Sequence, residues 1–309
     1  MREAIIEWNS FIGGIKGHLD KLGCIEVSTP ILNEVEVPNQ HIRPFSIKLG
    51  LPPYNLFLHT SPELKMKELL SQGSGDIYQI CPTFRDEEMG SWHSKEFQML
   101  EWYRLNISID EMIKEVNELL LSALSNISDV KIKIRSISYK DLFYSFINEE
   151  YPSNRTSLIK KLRGLGVEAN YDIMNNENLC DLIFSIIVKE SFDDNELVTI
   201  TKYPEDQASM ASLDNNDESV STRFECFYKG IELSNGYEEL RDMNLLSKRF
   251  AKTEKMREIQ NNHLPKLPKD YLVKVSSLLP VCCGVSVGLN RLYALSKGLT
   301  SIPTNTIYR

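Results

Sequence analysis

A chain of 309 residues with 42% hydrophobic side chains can bury a sizeable core, as one large domain or as two. No apolar run approaches the ~18 residues that cross a bilayer, and the opening MREAIIEWNS lacks a secretory pattern, so a cytoplasmic protein with no membrane partner is expected. A net charge of −8 and a pI near 5.3, with no clustered lysine and arginine, argue against a nucleic-acid-binding surface. The six cysteines, Cys24, Cys81, Cys180, Cys226, Cys282 and Cys283, show neither a CxxC pair nor metal-ligand spacing and read as reduced, packed thiols.

In chain order, residues 4–22 have helical character closed by Gly23, and residues 24–30 read as a strand. Ser61-Pro62-Glu63 is a helix start, with a serine cap, proline at the first helical position and an acid at the positive end of the dipole. That helix runs to Gln72 and stops at Gly73. Residues 77–85 and the stretch around 99–103 read as two strands joined by a long charged loop. A second amphipathic helix spans 110–126. Residues 157–190 alternate helical patterns with polar breaks and carry no motif, and 214–219 read as a surface loop. Lys229-Gly230, between two apolar runs, predicts a tight hairpin. A charged helix over 242–261 follows, with Asp242 as its cap, and residues 280–295 form a glycine-punctuated strand entering a helix. There are no internal repeats or low-complexity linkers.

Three segments carry candidate chemistry. On the strand 77–85, Tyr78, Ile80 and Phe84 fall on one face and Gln79, Thr83 and Arg85 on the other. On its partner, Leu100 and Trp102 share a face, leaving Met99, Glu101 and Tyr103 opposite. Pairing gives one core face and one face with an arginine beside a carboxylate and a phenol, which is costly to bury without a charged ligand. In the hairpin 223–240, a two-residue loop would pair Tyr228 with Ile231, Phe227 with Glu232 and Glu225 with Ser234, making Glu225 and Glu232 diagonal neighbours. Such a pair repels unless a cation lies between them or one binds a proton. Mg²⁺ suits oxygen ligands on a rigid sheet; two acids on an exposed strand face are the alternative. Gly284 to Gly288 matches the G-x-S-x-G of hydrolases, but that motif needs a later histidine. The last one, His263, precedes Ser286.

The segment FRDEEMGSWHSKEFQMLEWYR (84–104) resembles motif 2 of class II aminoacyl-tRNA synthetases, most closely of the lysyl type. LHTSPELKMKELL (58–70), GSGDIYQICPTFRDEEMG (73–90), FQMLEWYR (97–104) and YKGIELSNGYEEL (228–240) are similar to the EpmA family, also called PoxA or GenX. Its members are lysyl-tRNA synthetase paralogues that ligate (R)-β-lysine to a lysine of elongation factor P. The resemblance covers nearly the whole chain and is weakest over 125–199. It implies an α+β class II catalytic fold: a mainly antiparallel sheet of six or seven strands flanked by helices. The motif 1 region begins at the first residues, so a single catalytic domain over 1–309 is expected, with no OB-fold to read an anticodon. That speaks further against tRNA as the acceptor. Motif 1 also implies a homodimer.

The resemblance implies adenylation followed by acyl transfer, with ATP and Mg²⁺. Arg85 bridges the carboxylate and the α-phosphate, and Arg291 of motif 3 holds other phosphates. Asp86 and Glu87 line the ATP site, Glu232 and Leu233 reach ATP from the hairpin, and Gly288 lets the nucleotide approach the backbone. The metal-binding glutamates fall on Glu225 and Glu232. Ser61, Pro62 and Glu63 belong to the amino-acid side, where Glu63 holds an amino group near the substrate carboxylate. Glu101, Tyr103 and Glu239 surround the distal ammonium, and Ser286 lies in the same pocket. Three positions depart from the family. Ser94 replaces an asparagine that touches ATP, Asn290 an aspartate before the motif 3 arginine, and Ser286 a glycine or alanine. The resemblance therefore leaves the donor open among (R)-β-lysine, (S)-α-lysine and another diamino acid. Two alternatives stand beside an elongation factor P ligase: a lysyl-adenylate-forming enzyme with another acceptor, and a non-catalytic synthetase-like regulator.

Overall fold

The structure, a computed structural model, describes residues 1–36, 39, 42–50, 54–86, 90–125, 131–259 and 269–303. The chain opens with helix α1 (Arg2–Lys21), closed by Gly23 at φ +79, and the two-residue strand β1 (Ile25–Glu26). A small three-stranded sheet follows from β2 (Leu32–Asn33), β3 (Ser46–Leu49) and β4 (Tyr54–Leu58). Helix α2 (Glu63–Ser71) leads into the long pair β5 (Ile77–Phe84) and β6 (Glu96–Leu105), and then into α3 (Ile109–Leu124). An insert comprises β7 (Lys133–Ser138), α4 (Tyr139–Ile147), α5 (Arg155–Gly164), α6 (Asn176–Glu190) and β8 (Glu196–Thr201). The hairpin β9 (Arg223–Tyr228) and β10 (Ile231–Glu238), helices α7 (Met243–Ile259) and α8 (Lys269–Leu278), strand β11 (Cys282–Gly288) and α9 (Leu289–Ser296) complete the described chain.

The main sheet has eight strands in the order β1-β5-β6-β11-β10-β9-β8-β7. Its six central strands pair antiparallel, and the edge pairs β1–β5 and β7–β8 are parallel. The sheet thus exceeds the expected six or seven strands because short β1 and the insert's β7 extend its two edges. Alternation along β6 sorts its side chains as predicted. Leu100 and Trp102 enter a core with Met112, Val116 and Leu120 of α3 and Leu292 of α9. Tyr103 faces the other way, among Leu64, Met210, Tyr237 and Phe250. Met112, Val116 and Leu120, at helical spacing, are 0% exposed, each burial contributing about 1.5–3 kcal/mol. A capping box, Ser108 with Glu111, starts α3 and is worth about 1 kcal/mol.

Local readings hold with specific corrections. Lys229 and Gly230 both have positive φ (51 and 70), the signature of a type I′ hairpin turn. Asp242 caps α7 by accepting from Leu245 N at 2.9 Å; residue 261, the expected end, lies outside the described residues. Residues 24–30 form a strand only over Ile25–Glu26, which pair with Ile77 and Tyr78 at the start of β5. Ser61 does not cap α2: Pro62 occupies the cap position, and no side chain bonds there. The insert has its own core, where Leu162 and Ile183 from the helical patterns over 157–190 meet Tyr139 and Phe143 of α4 and Tyr203 just beyond β8. No described helix is long and apolar enough to cross a membrane.

Candidate active site

The strand registers build two functional rows across one sheet face. Glu101 pairs with Gln79 and Ser286, Ser286 with Asn235, and Asn235 with Glu225. Two residues along, Tyr103 pairs with Gly284, Gly284 with Tyr237, and Tyr237 with Arg223. Period-two alternation puts both rows on the same side. Gly284 is fixed by its neighbours: a Cβ there would lie 2.4 Å from Tyr103 Cε1 and 2.7 Å from Glu239 Oε1. The phenol and the carboxylate therefore rest directly on its backbone.

Two cavities open above these rows. The first is lined by Arg85, His93, Ser94, Glu232, Leu233, Gly288 and Arg291, among others. The second is lined by Thr60, Ser61, Glu63, Glu101, Tyr103, Tyr237 and Gly284. Arg85, Met99, Asn235 and Ser286 belong to both walls. Arg85 rests over the Phe97 ring at 5.2 Å and donates from Nε to Thr60 O at 3.4 Å. Arg291 is held by backbone: its Nε donates to Trp92 O (3.0 Å) and its Nη1 to Glu232 O (3.1 Å), with Glu232 Oε2 at 3.7 Å. Asn290, where an aspartate was expected, is not loose. Its Oδ1 accepts from Gln98 N at 2.6 Å, tying α9 to β6 beside the arginine.

The second cavity is acidic, and its charged groups are largely buried. Glu101 is 3% exposed and accepts from the Tyr103 hydroxyl at 2.6 Å. Burial, with Glu63 adding repulsion, pushes its carboxyl up to about 8. Behind it lies a feature that sequence reading missed. Lys67, 1% exposed, places its ammonium 2.7 Å from Glu63 Oε1 and 2.6 Å from Glu239 Oε2. The Tyr237 hydroxyl also donates to Glu63. These two acids hold the Lys67 ammonium well above its ordinary value although burial opposes it. Glu239 is itself pushed up to about 8 by burial, Lys67 offsetting part of that, and its Oε1 has no hydrogen-bond partner among the described residues. Glu239 does not reach the cavity wall; it sits over Gly284, which does. Lys67 stands four residues after Glu63, a helical ion-pair spacing that could have drawn attention to it.

The hairpin carries a correction. A bulge between Glu232 and Ser234 shifts the register, so Glu225 pairs with Asn235 and not with Ser234. Glu232 still pairs with Phe227, which keeps both glutamates on one face. Glu225, 8% exposed, accepts from Arg223 and from the Tyr203 hydroxyl (2.6 Å), whereas the Glu232 side chain is 42% exposed. Burial raises the Glu225 carboxyl and Glu232 raises it further, against the pull of Arg223. No group of three or more His, Cys, Asp or Glu fit to hold a metal occurs among the described residues.

Of the remaining site residues, Ser94, Leu233, Gly288 and Ser286 line the first cavity. Ser286 donates to Asn235 O at 3.3 Å. Asp86 pairs with Lys95 at 3.2 Å and stands outside both walls, as does Pro62. Glu87 lies outside the described residues. His59 is fully buried with Nε2 2.7 Å from Pro82 O, a structural role.

The fold and site define a class. The family described as tRNA synthetases class II (D, K and N) matches residues 1–308, and the chain belongs to that family. Its nearer kinship follows from curated relatives. Elongation factor P–(R)-β-lysine ligase of Avibacterium paragallinarum is 35% identical over 305 residues, covering 97% of this chain and 93% of that protein. The ligases of the same name from Buchnera aphidicola and Haemophilus ducreyi are 36% and 35% identical, each over 97% of this chain and over 93% and 91% of their own length.

Proposed function

We propose that this chain activates (R)-β-lysine, or a related lysine, with ATP and transfers the acyl group to a lysine side chain of elongation factor P. The observation that carries the reading is Arg85, which stands in the wall of both cavities. Joining a carboxylate to an α-phosphate needs a cation placed between an amino-acid site and a nucleotide site. In the first step a substrate carboxylate oxygen attacks the α-phosphorus and the bond to pyrophosphate breaks. Negative charge grows on the α-phosphoryl oxygens, where one preorganised donor is worth about 10²–10³ in rate. Arg291, held by two carbonyls, serves the departing phosphates. At Gly288 a Cβ would meet only Arg291 Cδ, at 3.8 Å, so the space it leaves is available to the nucleotide. In the second step the acceptor amine attacks the acyl carbon, a C–N bond forms, and AMP leaves.

The amino-acid cavity suits a diamino acid. Glu63 and Glu239 pair with Lys67, the one lysine of this group, and Glu101 lies in the same wall, so carboxylates become available to two substrate ammonium groups once Glu101 and Glu239 give up their protons. Glu63 takes the amino group near the carboxylate, and Glu101 and Tyr103 take the distal ammonium, backed by the unpartnered oxygen of Glu239. Glu225 and Glu232 fit one Mg²⁺: they share a face and repel, which a divalent cation relieves. When bound, the metal neutralises phosphate charge; Glu232 is the freer ligand. The chain acts in the cytoplasm as one catalytic domain and as a homodimer. Ile5, Ile6 and Ile25, 43%, 56% and 61% exposed on α1 and β1, supply apolar surface for the second copy.

ATP–pyrophosphate exchange with lysine and with (R)-β-lysine, then mass spectrometry of elongation factor P incubated with ATP and each donor, tests the proposal. Absence of exchange with any diamino acid would leave a non-catalytic regulator. Exchange with an unmodified elongation factor P would leave a lysine-activating enzyme with another acceptor.

A further inference from the structure

A third cavity adjoins the amino-acid cavity and shares Ser209 and Asn235 with it. It is a cleft of about 420 Å³, roomy enough for a long side chain and within the ~300–1,000 Å³ usual for ligand pockets. Its walls come largely from segments that adenylation does not use. Glu177 and Asp181 project from α6 of the insert, Glu205 and Asp206 from the 3₁₀ turn Glu205–Gln207, and Arg249 and Lys252 from α7. Glu225 and Arg223, also in the wall, are already paired with each other. Asp181 accepts from Gln207 Nε2 (2.9 Å) and Asp206 from the Tyr151 hydroxyl (3.2 Å), so neither has a cationic partner among these bonds. Arg249 donates from Nη1 to Ser209 O and Ala211 O (3.0 and 2.6 Å), but its buried Nε and Nη2 have no partner among the described residues. The cleft therefore offers carboxylates to an ammonium and guanidinium donors to carbonyl oxygens, and it opens onto the amino-acid site.

We propose that this cleft receives the acceptor: a lysine on an exposed loop of a folded protein. Its ammonium is drawn between Glu177, Asp181, Glu205 and Asp206 while loop carbonyls reach Arg249. The lysine passes Ser209 and Asn235 to the acyl carbon. The inference rests on the reading that an activated acyl group forms in the amino-acid cavity. The transfer balances. The ammonium gives one proton to water at the mouth, and the free amine attacks the acyl carbon. The bond to the phosphate oxygen breaks with its electron pair going to AMP, and the nitrogen sheds its second proton as the amide forms.

The test uses the full chain carrying Glu177→Lys with Glu205→Lys, both positions partly or fully exposed, and separately Asp181→Asn, which keeps the bond from Gln207. Pyrophosphate exchange with (R)-β-lysine should stay within about twofold of the starting enzyme. The kcat/KM for acylating elongation factor P should fall at least about tenfold, mainly through KM, and lose much of its salt dependence. Equal acylation by both variants overturns the cleft assignment alone. Loss of exchange in step with acylation overturns it too, by making the cleft part of adenylation. A starting enzyme that exchanges pyrophosphate but acylates no protein removes the acceptor reading and this inference together.

Discussion

The nucleotide cavity and the amino-acid cavity share four residues and hold charge in opposite ways. Beside the nucleotide, Arg291 and Glu232 keep 21% and 42% of their side chains exposed, and the arginines bond to backbone carbonyls. A phosphate there would meet cations that keep part of their surface open to solvent. Beside the amino acid, Glu101, Glu239 and Lys67 are 3%, 3% and 1% exposed, and they have mainly one another. A buried charge costs several kcal/mol unless a partner meets it. On the proposed function, selectivity for a diamine would reside in the cavity of buried charge, where the absence of the right cations is expensive, and catalytic charge compensation in the more exposed one.

Lys67→Met is the largest test of that contrast. It leaves Glu63 and Glu239 facing each other in the interior and should cost about 3–5 kcal/mol of stability, measured by denaturant midpoint. Adding Glu239→Gln should restore part of the loss, and strict additivity of the two changes would show that the ion pair is not what holds this region. On the more exposed side, Arg85→Ala should leave the melting temperature nearly unchanged and lower pyrophosphate exchange by about 10²–10³. An Arg85 variant that unfolds, or one that exchanges normally, breaks the contrast from its other end. Gly284→Ala should be milder. The new methyl pushes the Tyr103 ring and the Glu239 carboxylate aside, raising KM for the diamino acid by about tenfold or more with little change in KM for ATP.

The same division decides what was legible in the sequence. Glu101 and Tyr103 could be put on one face because alternation along β6 forces their side, and the registers bear that out; Arg85 follows directly after β5, and Ser286 was placed through the family resemblance alone. Glu225 and Glu232 were placed on one face correctly, but the bulge that moves Glu225 opposite Asn235 leaves no mark in spacing alone. Lys67 was passed over as a site residue because its spacing from Glu63 fits a solvated helical ion pair as well as a buried one. Its fate is set by Glu239, which is brought beside it from the far end of the hairpin. The insert fared worst. Its helices were visible as patterns, but the cleft they wall off depends on how α6 meets the turn at 205–207 and α7, contacts between segments distant in sequence.

The smallest expected effect concerns protons. With Glu101 and Glu239 raised from 4.5 to about 8 in the fold, the folded chain binds more protons than the unfolded one across that window. Stability of the unliganded enzyme should therefore fall as pH rises from about 5 to about 8. A diamino acid reverses the preference, because its distal ammonium, with an ordinary value near 10, remains charged and favours ionised carboxylates. Binding should then release protons below pH 8, and KM for the diamino acid should drop by up to about tenfold per pH unit from 6.5 to 8 before levelling. KM for ATP, governed by partly exposed arginines, should stay flat over the same range. Parallel pH profiles for the two substrates would mean that the buried acids are ionised before the ligand arrives, with Lys67 alone sufficient to keep them so.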